Sequence, residues 1–141
     1  MEENHLFTRF ANELLDKRQT HSCTTSLKSN AIEFLIQLID FLFPHFSNKV
    51  YISPEDVIAK MQLLKRDLIQ MLNSLNGNKP DGDLDAIADA FISRIPVIHT
   101  NLWNDAEAIY SGDPAAENVD EVILAYPGFM AILIYRISHE L

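Results

Sequence analysis

Residues 53–75 read SPEDVIAKMQLLKRDLIQMLNSL, and this stretch carries the strongest signal for the fold class. Ser53 stands where a helix N-cap is needed, Pro54 suits the first helical position, and Asp56 follows at the third. The helix is expected to run to the end of the quoted stretch, where the Asn-Gly pair at 76–77 stops it. A long helix is therefore predicted here.

Similar start and stop signals divide the rest of the chain into further helices. Glu33, Gln37 and Asp40 form one narrow polar stripe on a helix that is otherwise Ile, Leu and Phe, which predicts burial on most sides. Pro96 is expected to break a helix, because proline lacks the N–H that the helix requires. The predicted helices cover 3–19, 29–43, 53–75, one that is capped by Asp83 or Asp81 and runs through Ile95, 98–111, a short one from Asp113-Pro114 and one from Pro127-Gly128 to the C-terminus. The sequence thus predicts an all-α fold, an irregular bundle of about seven helices.

Length and composition indicate one domain over residues 1–141. The chain has 141 residues, of which 48% are hydrophobic, enough for a core of its own. Its four glycines are too few for the turns of an all-β sandwich or barrel. The one plausible strand, Lys49–Ile52, is too short to pair independently. One mostly helical domain is therefore expected.

The charge is strongly negative and unevenly placed. The formal net charge is −9, and residues 81–121 hold ten acids and a single base, Arg94. Nucleic acids and anionic membranes require clustered positive charge, so we expect neither as a partner. A local negative field favours a cationic or zwitterionic ligand over a polyphosphate.

The sequence also predicts a soluble, cytoplasmic protein. Cys23 is the single cysteine, which suits a reducing compartment, and an inert thiol is expected there. We expect no signal peptide, because no basic segment followed by an apolar one stands at the start of the sequence. The longest stretch without charge, residues 122–135, is 14 residues long, whereas a membrane span needs about 20.

No self-contained catalytic, metal or cofactor motif occurs. Asp81, Asp83 and Asp85 have the spacing that opens a calcium loop, but Ala86 and Ile92 replace the glycine and glutamate that such a loop needs. Helix capping explains these aspartates better. None of the five histidines pairs at helical spacing for a metal, and the glycine-rich phosphate-binding and nucleophile motifs are absent. A Ser–His–Asp triad that forms only in the folded protein stays open.

The last part of the chain is the most informative. Asp113 followed by Pro114 is typical of a helix N-cap and first helical position. The final helix, after Pro127-Gly128, is apolar on almost every face. Ile132, Leu133, Ile134 and Ile137 cannot all point into one core, so an apolar face is expected to meet another subunit or domain.

This segment resembles the end of the N-terminal helical domain of the serine O-acetyltransferases. The elements that carry the resemblance, in order, are Asp113-Pro114-Ala115, Glu121, Pro127-Gly128, Ala131, Tyr135-Arg136, His139 and Leu141. The similarity covers roughly 105–141, which leaves residues 1–104 as a helical extension. Two positions depart from the family pattern: Gly112 where members commonly have Arg, and Met130 where many have His. The family's catalytic β-helix of hexapeptide repeats is absent from these 141 residues.

The resemblance implies acetyl transfer from acetyl-CoA to the hydroxyl of L-serine, with Asp113 binding the ammonium group of serine. It implies no catalytic residue within this chain, whose base belongs to the β-helix, and no cofactor held by this domain. Arg136 and His139 are expected to be packing and helix-end residues. The resemblance further implies a homo-oligomer, a trimer or a dimer of trimers, and cysteine synthase as a partner enzyme. The alternative is a non-catalytic helical module for protein–protein interaction or oligomerisation.

Overall fold

A computed structural model of the chain describes residues 2–21, 25–75 and 81–141. Their regular structure consists of α1 (Glu2–Thr20), α2 (Thr25–Leu42), a 3-10 turn (Pro44–Phe46), α3 (Pro54–Asn73), α4 (Leu84–Gly112), α5 (Val119–Ala125) and α6 (Pro127–His139). The all-α prediction is confirmed, because these residues contain six α-helices and no strand. Residues 49–52 have no regular secondary structure.

The predicted start of α3 is confirmed in detail. The Ser53 hydroxyl accepts a hydrogen bond from the backbone N–H of Asp56, and the Asp56 carboxylate accepts one from the N–H of Ser53, each at 3.2 Å. This reciprocal capping box satisfies two N–H groups that a helix start leaves unpaired. The helix ends at Asn73, slightly earlier than expected. The Asn-Gly pair at 76–77 lies outside the described residues.

The predicted break at Pro96 is wrong, and it accounts for the difference between six helices and about seven. α4 runs without interruption from Leu84 to Gly112 with Pro96 inside it. The proline ring lies on the exposed side of the helix, while Ile95 and Ile98 on the other side are buried. An internal proline costs about 3 kcal/mol. Burial of each large aliphatic side chain contributes about 1.5–3 kcal/mol, so packing outweighs the lost hydrogen bond.

One hydrophobic core joins α2 to α6. α4 is central: it packs against α3, α5 and α6, while α2 packs on α3. The largest fully buried side chains are Phe43, Phe91, Phe129, Leu38, Leu64, Leu68, Leu102, Ile123, Leu133, Ile137 and Val122. In the part of the chain that the structure describes, no polar or charged residue is buried. The core therefore follows the simple rule that apolar groups leave water.

Two ion pairs fasten α6 to α4. Arg136 donates through Nε and Nη2 to both carboxylate oxygens of Asp105, the Nη2–Oδ1 distance being 2.9 Å. Arg94 donates to Glu140 in the same forked manner, at 2.9 and 3.1 Å. Two parallel hydrogen bonds fix the geometry of a guanidinium and a carboxylate more tightly than a point charge would. The segment around α5 and α6 is thereby held on the long helix.

Some predicted burial is not observed. The expectation that α2 is buried on most sides is wrong for Ile32 and Ile36, which are 47% and 53% exposed. The apolar face of α1 is also open to solvent: Leu6, Phe7 and Phe10 are each about 60% exposed. On α6, Leu133 and Ile137 are buried, Ile132 is half-buried and Ile134 is exposed. Among the described helices, α1 carries the most exposed large apolar side chains, five in all, whereas α6 carries two.

None of the described helices is by itself long and apolar enough to cross a membrane. α5 and α6 pass a test of length and composition only when taken together, and they are bent by 76° relative to each other.

Candidate functional site

Asp113 lies in a turn directly after α4. Its backbone N–H donates to the carbonyl of Ile109 at 3.1 Å, which completes the last turn of the helix. One carboxylate oxygen, Oδ1, accepts from the N–H of Ala115 at 2.9 Å, and the Asp113 carbonyl accepts from Ala116. Side chain and backbone together therefore stabilise a tight turn, as aspartate commonly does.

The prediction that Asp113 begins a short helix is wrong. Asp113 precedes a proline, which restricts its backbone to extended conformations, and its φ and ψ are −115° and 107°. α5 begins only at Val119, and its N-cap is Asn118, whose side chain accepts from the N–H of Glu121 at 2.8 Å. The acids in the first turn of α5 favour this later start through the helix dipole.

The second carboxylate oxygen of Asp113 is held by Tyr126. The phenol hydroxyl donates to Oδ2 at 2.9 Å. Tyr126 lies at the junction of α5 and α6, immediately before Pro127, with an extended backbone and a half-buried side chain. Because α5 is only seven residues long, the chain returns quickly to the turn after α4. The Asp113 carboxylate thus has one donor on each oxygen.

These hydrogen bonds set the protonation states of the pair. The N–H of Ala115, and then the Tyr126 hydroxyl, lower the pKa of Asp113. The pKa of Tyr126 is raised by its hydrogen bond to Asp113, by burial, and by the negative charges of Asp113 and Glu121. At neutral pH the carboxylate is therefore ionised and the phenol keeps its proton. A carboxylate oxygen accepts more than one hydrogen bond, so Asp113 retains capacity for a cationic group.

Arg136 and His139 lie in the last turn of α6, the helix-end position that the sequence predicts. Arg136 pairs with Asp105, and the pKa of its guanidinium is raised mainly by that hydrogen bond. His139 lies in the last turn of α6, where its ring stacks on Tyr135 with 5.7 Å between ring centroids. Glu121 accepts from the backbone N–H of Glu117 at 2.7 Å and so stabilises the start of α5.

The three aspartates at 81, 83 and 85 do not converge on a metal. Asp83 is the N-cap of α4 and accepts from the N–H of Asp85 at 3.0 Å, which confirms the capping interpretation. Asp85 contacts Lys65 at 3.3 Å. In residues 2–21, 25–75 and 81–141 no group of three His, Cys, Asp or Glu side chains could hold a metal ion. Cys23 lies outside the described residues.

A polar cavity of about 370 Å³ lies between α2 and α3, away from Asp113. Its lining includes Glu33, Gln37 and Asp67. Two of these are already engaged: Gln37 accepts from Lys60 at 2.9 Å, and Asp67 accepts from Arg66. The cavity shares no lining residue with the segment 105–141 that carries the family resemblance.

Two contacts near the site were not predicted from the sequence. The first is the hydrogen bond from the Tyr126 hydroxyl to Asp113. The other joins His45 to Asp120, with 2.8 Å between Nε2 and Oδ1, and places the His45 ring against Trp103. This second contact ties the 3-10 turn to α5. A lone tyrosine before Pro-Gly is a weak signal, and only the return of the chain after α5 brings it to Asp113.

Comparison with known proteins gives partial matches to enzymes of one kind. A plasmid serine acetyltransferase of Synechococcus elongatus is 40% identical over 55 residues, which is 39% of this chain and 17% of that protein. The serine acetyltransferase of Synechocystis is 51% identical over 41 residues, 29% of the chain and 16% of the relative. That of Helicobacter pylori is 46% identical over 41 residues, 29% of the chain and 24% of the relative. No family model matches the chain.

Part of the chain is thus similar in sequence to serine acetyltransferases. This confirms the family resemblance that the ordered elements from Asp113 to Leu141 indicate. The matched segments are short, and they span less than a quarter of the length of each of these serine acetyltransferases. The similarity therefore supports the acyltransferase family.

Proposed function

We propose that this chain is the N-terminal helical domain of a serine O-acetyltransferase. That enzyme transfers the acetyl group of acetyl-CoA to the hydroxyl of L-serine and produces O-acetyl-L-serine and CoA, the first step of cysteine biosynthesis. The partial sequence matches to serine acetyltransferases of three bacteria carry this proposal. On this proposal the protein works in the cytoplasm, and cysteine synthase is a partner.

In this proposal Asp113 binds the ammonium group of L-serine. Its carboxylate is ionised, half-buried and held by donors on both oxygens, so it is oriented before the substrate arrives. Fixed orientation lowers the entropy that binding must overcome. Nearby Glu121 adds negative charge, which raises the pKa of Tyr126 and also favours a cation.

The acetyl-CoA site and the catalytic base belong to the β-helix of hexapeptide repeats, which these 141 residues do not contain. The acidic stretch 81–121 disfavours the phosphates of CoA. In this chemistry a histidine acts as general base on the serine hydroxyl. We therefore expect the 141-residue chain to be inactive alone.

A thiol assay tests whether the 141-residue chain is inactive and whether the complete protein is active. The chain is incubated with acetyl-CoA and L-serine, and release of free CoA thiol is followed; no signal above the uncatalysed rate is expected. The same assay on the complete product of the gene is expected to show serine-dependent release. Turnover by the 141 residues alone, or none by the complete product, would contradict the proposal.

Substitution of Asp113 by alanine tests whether this residue binds serine. In the complete, active protein, Asp113→Ala is expected to raise KM for serine by about tenfold or more, because an ammonium loses a charged hydrogen-bond partner. KM for acetyl-CoA should change little. Asp81→Ala removes an exposed acid from the same acidic stretch and is the matched control. An unchanged KM for serine and an unchanged kcat in Asp113→Ala would rule out this role.

The second candidate function is a helical module that mediates oligomerisation without catalysis. The exposed apolar face of α1 favours it, since large apolar side chains in a row commonly mark an interaction surface. The two candidates overlap, because a helical domain can also join enzyme subunits into a trimer or a dimer of trimers. The thiol assay on the complete product distinguishes them.

A further inference from the structure

The Asp113 carboxylate is positioned from two directions. The N–H of Ala115 comes from the same turn and is fixed by the local backbone. The Tyr126 hydroxyl comes from the junction of α5 and α6, thirteen residues along the chain. The first contact would hold the carboxylate in most conformations of that turn. The second depends on the position of α6 against α4.

We propose that Tyr126 is a positioning residue for the serine-binding carboxylate of Asp113. The inference rests on the function proposed above and extends it to a residue that does not itself contact the reacting atoms. The phenol donates to Oδ2 at 2.9 Å, so it determines how the plane of the carboxylate is turned. The lone pairs that remain on both oxygens then face a defined direction.

The surroundings of Tyr126 make it suited to this role. Its side chain is half-buried and packs against the hydrophobic core, which restricts the ring. Pro127 follows directly, and the extended backbone of Tyr126 is the conformation that a following proline favours. The ion pair between Arg136 and Asp105 holds α6 on α4 and so keeps the phenol near the turn. A hydroxyl held in this way loses little freedom when it donates.

Tyr126→Phe removes the hydroxyl and keeps the ring. In the 141-residue chain, a pH titration of the Asp113 carboxyl carbon by NMR is expected to give a higher pKa in this variant than in the wild type. Tyr135→Phe is the matched control, because Tyr135 is exposed and stacks on His139. An Asp113 pKa that is the same in wild type and Tyr126→Phe would overturn the proposal.

Kinetics of the complete protein provide the second readout. Tyr126→Phe is expected to raise KM for serine about fivefold, the loss expected when one hydrogen bond to an ionised group is removed but the charge remains. KM for acetyl-CoA should not change. The kcat at saturating serine should change less than KM for serine, because Asp113 binds the substrate and is not the general base. A merely structural role would not raise KM for serine while leaving KM for acetyl-CoA unchanged.

The outcomes separate the two proposals. If the wild-type protein is inactive with serine and acetyl-CoA, the proposed function fails and the positioning role falls with it. If the wild type is active but Tyr126→Phe has an unchanged KM for serine, only the positioning role fails. Should Tyr126→Phe fold poorly, 3-fluorotyrosine at position 126 keeps the hydroxyl and makes it a stronger donor. The Asp113 pKa is then expected to fall below the wild-type value, and an unchanged value would overturn the proposal.

Discussion

At the scale of single residues, Asp113 makes the stability of the fold depend on pH. Its pKa in the folded protein lies below the ordinary value of 3.8, mainly because the N–H of Ala115 stabilises the charged form. The folded state therefore binds this proton less tightly than the unfolded chain does. The contribution is complete above the ordinary pKa and is lost as the pH falls through the lower, folded-state value.

Asp113→Asn tests this dependence. The variant keeps the shape of the side chain but removes the charge, so it should be less stable than the wild type near neutral pH. Urea unfolding at about pH 7 and about pH 3 is expected to give a smaller difference between variant and wild type in acid. Asp81→Asn, at an exposed position, is the control. An equal difference at both pH values would show that the charge of Asp113 does not contribute.

The sequence indicated Asp113 but not its partner. An aspartate before a proline is a strong local signal, because both residues act through the neighbouring backbone. The local signal nevertheless gave the wrong structure, since Asn118 caps the next helix and Asp113 forms a turn. Nothing in the sequence predicts that Tyr126 is the hydrogen-bond partner of Asp113. Its contact with Asp113 exists only because α5 is short and α6 is fastened to α4.

At the scale of elements, α4 shows how packing overrides a local preference. The local preference of proline predicts a break at Pro96. The buried positions nevertheless continue on one face of the helix across the proline, at Phe91, Ile95, Ile98 and Leu102. That spacing was present in the sequence, and it predicts the continuous helix if it is given more weight than the proline. The caps of α3 were predictable because they depend on neighbours alone.

Pro96→Ala is expected to stabilise the protein. Alanine restores a backbone N–H to α4 and has the highest helix propensity, while the exposed position of Pro96 means that little packing is lost. The greater freedom of the unfolded chain offsets part of the gain, so we expect a net increase of about 1–2 kcal/mol in the free energy of unfolding. Denaturant unfolding measures it. A lower stability would mean that the proline packs more tightly than its exposure indicates.

The ion pair between Arg136 and Asp105 is expected to contribute measurably to the packing of α6 on α4. Their side chains are 36% and 21% exposed, compared with 50% and 26% for Arg94 and Glu140. A double-mutant cycle with Arg136→Met and Asp105→Asn should give a coupling energy of about 1 kcal/mol, since the pair is forked and partly buried. The Arg94–Glu140 cycle should give less and should weaken more in salt. A larger coupling energy for the Arg94–Glu140 pair than for the Arg136–Asp105 pair would contradict this interpretation.

At the scale of the whole molecule, the chain has two regions of different character. α2 to α6 share one core, whereas residues 5–20 of α1 are exposed throughout. Leu6, Phe7 and Phe10 give α1 an amphipathic pattern, but such a pattern shows only that a face is apolar. It does not show what covers that face, because the covering surface can belong to the same chain or to another. The sequence predicts an apolar face on α6 that meets another subunit or domain; the structure exposes a larger apolar face on α1.

We therefore expect the chain to self-associate through α1. Phe7 and Phe10 lie on one face of the helix and are each 60% exposed. Their burial in an assembly would contribute about 1.5–3 kcal/mol per side chain before the entropy of association is subtracted. Replacing both with glutamate should shift the chain to smaller species in light scattering, while the helical content of α2 to α6 is kept.

The matched control places the same two charges on the opposite face of α1. His5→Glu with Asn12→Glu gives the helix the same number of new carboxylates but leaves Phe7 and Phe10 in place, so association should persist. If both double variants dissociate equally, net charge and not the apolar face controls assembly. If the wild type is monomeric at every concentration, α1 does not join copies of this chain. Its apolar face would then require a different partner, because an exposed row of aromatic side chains is costly in water.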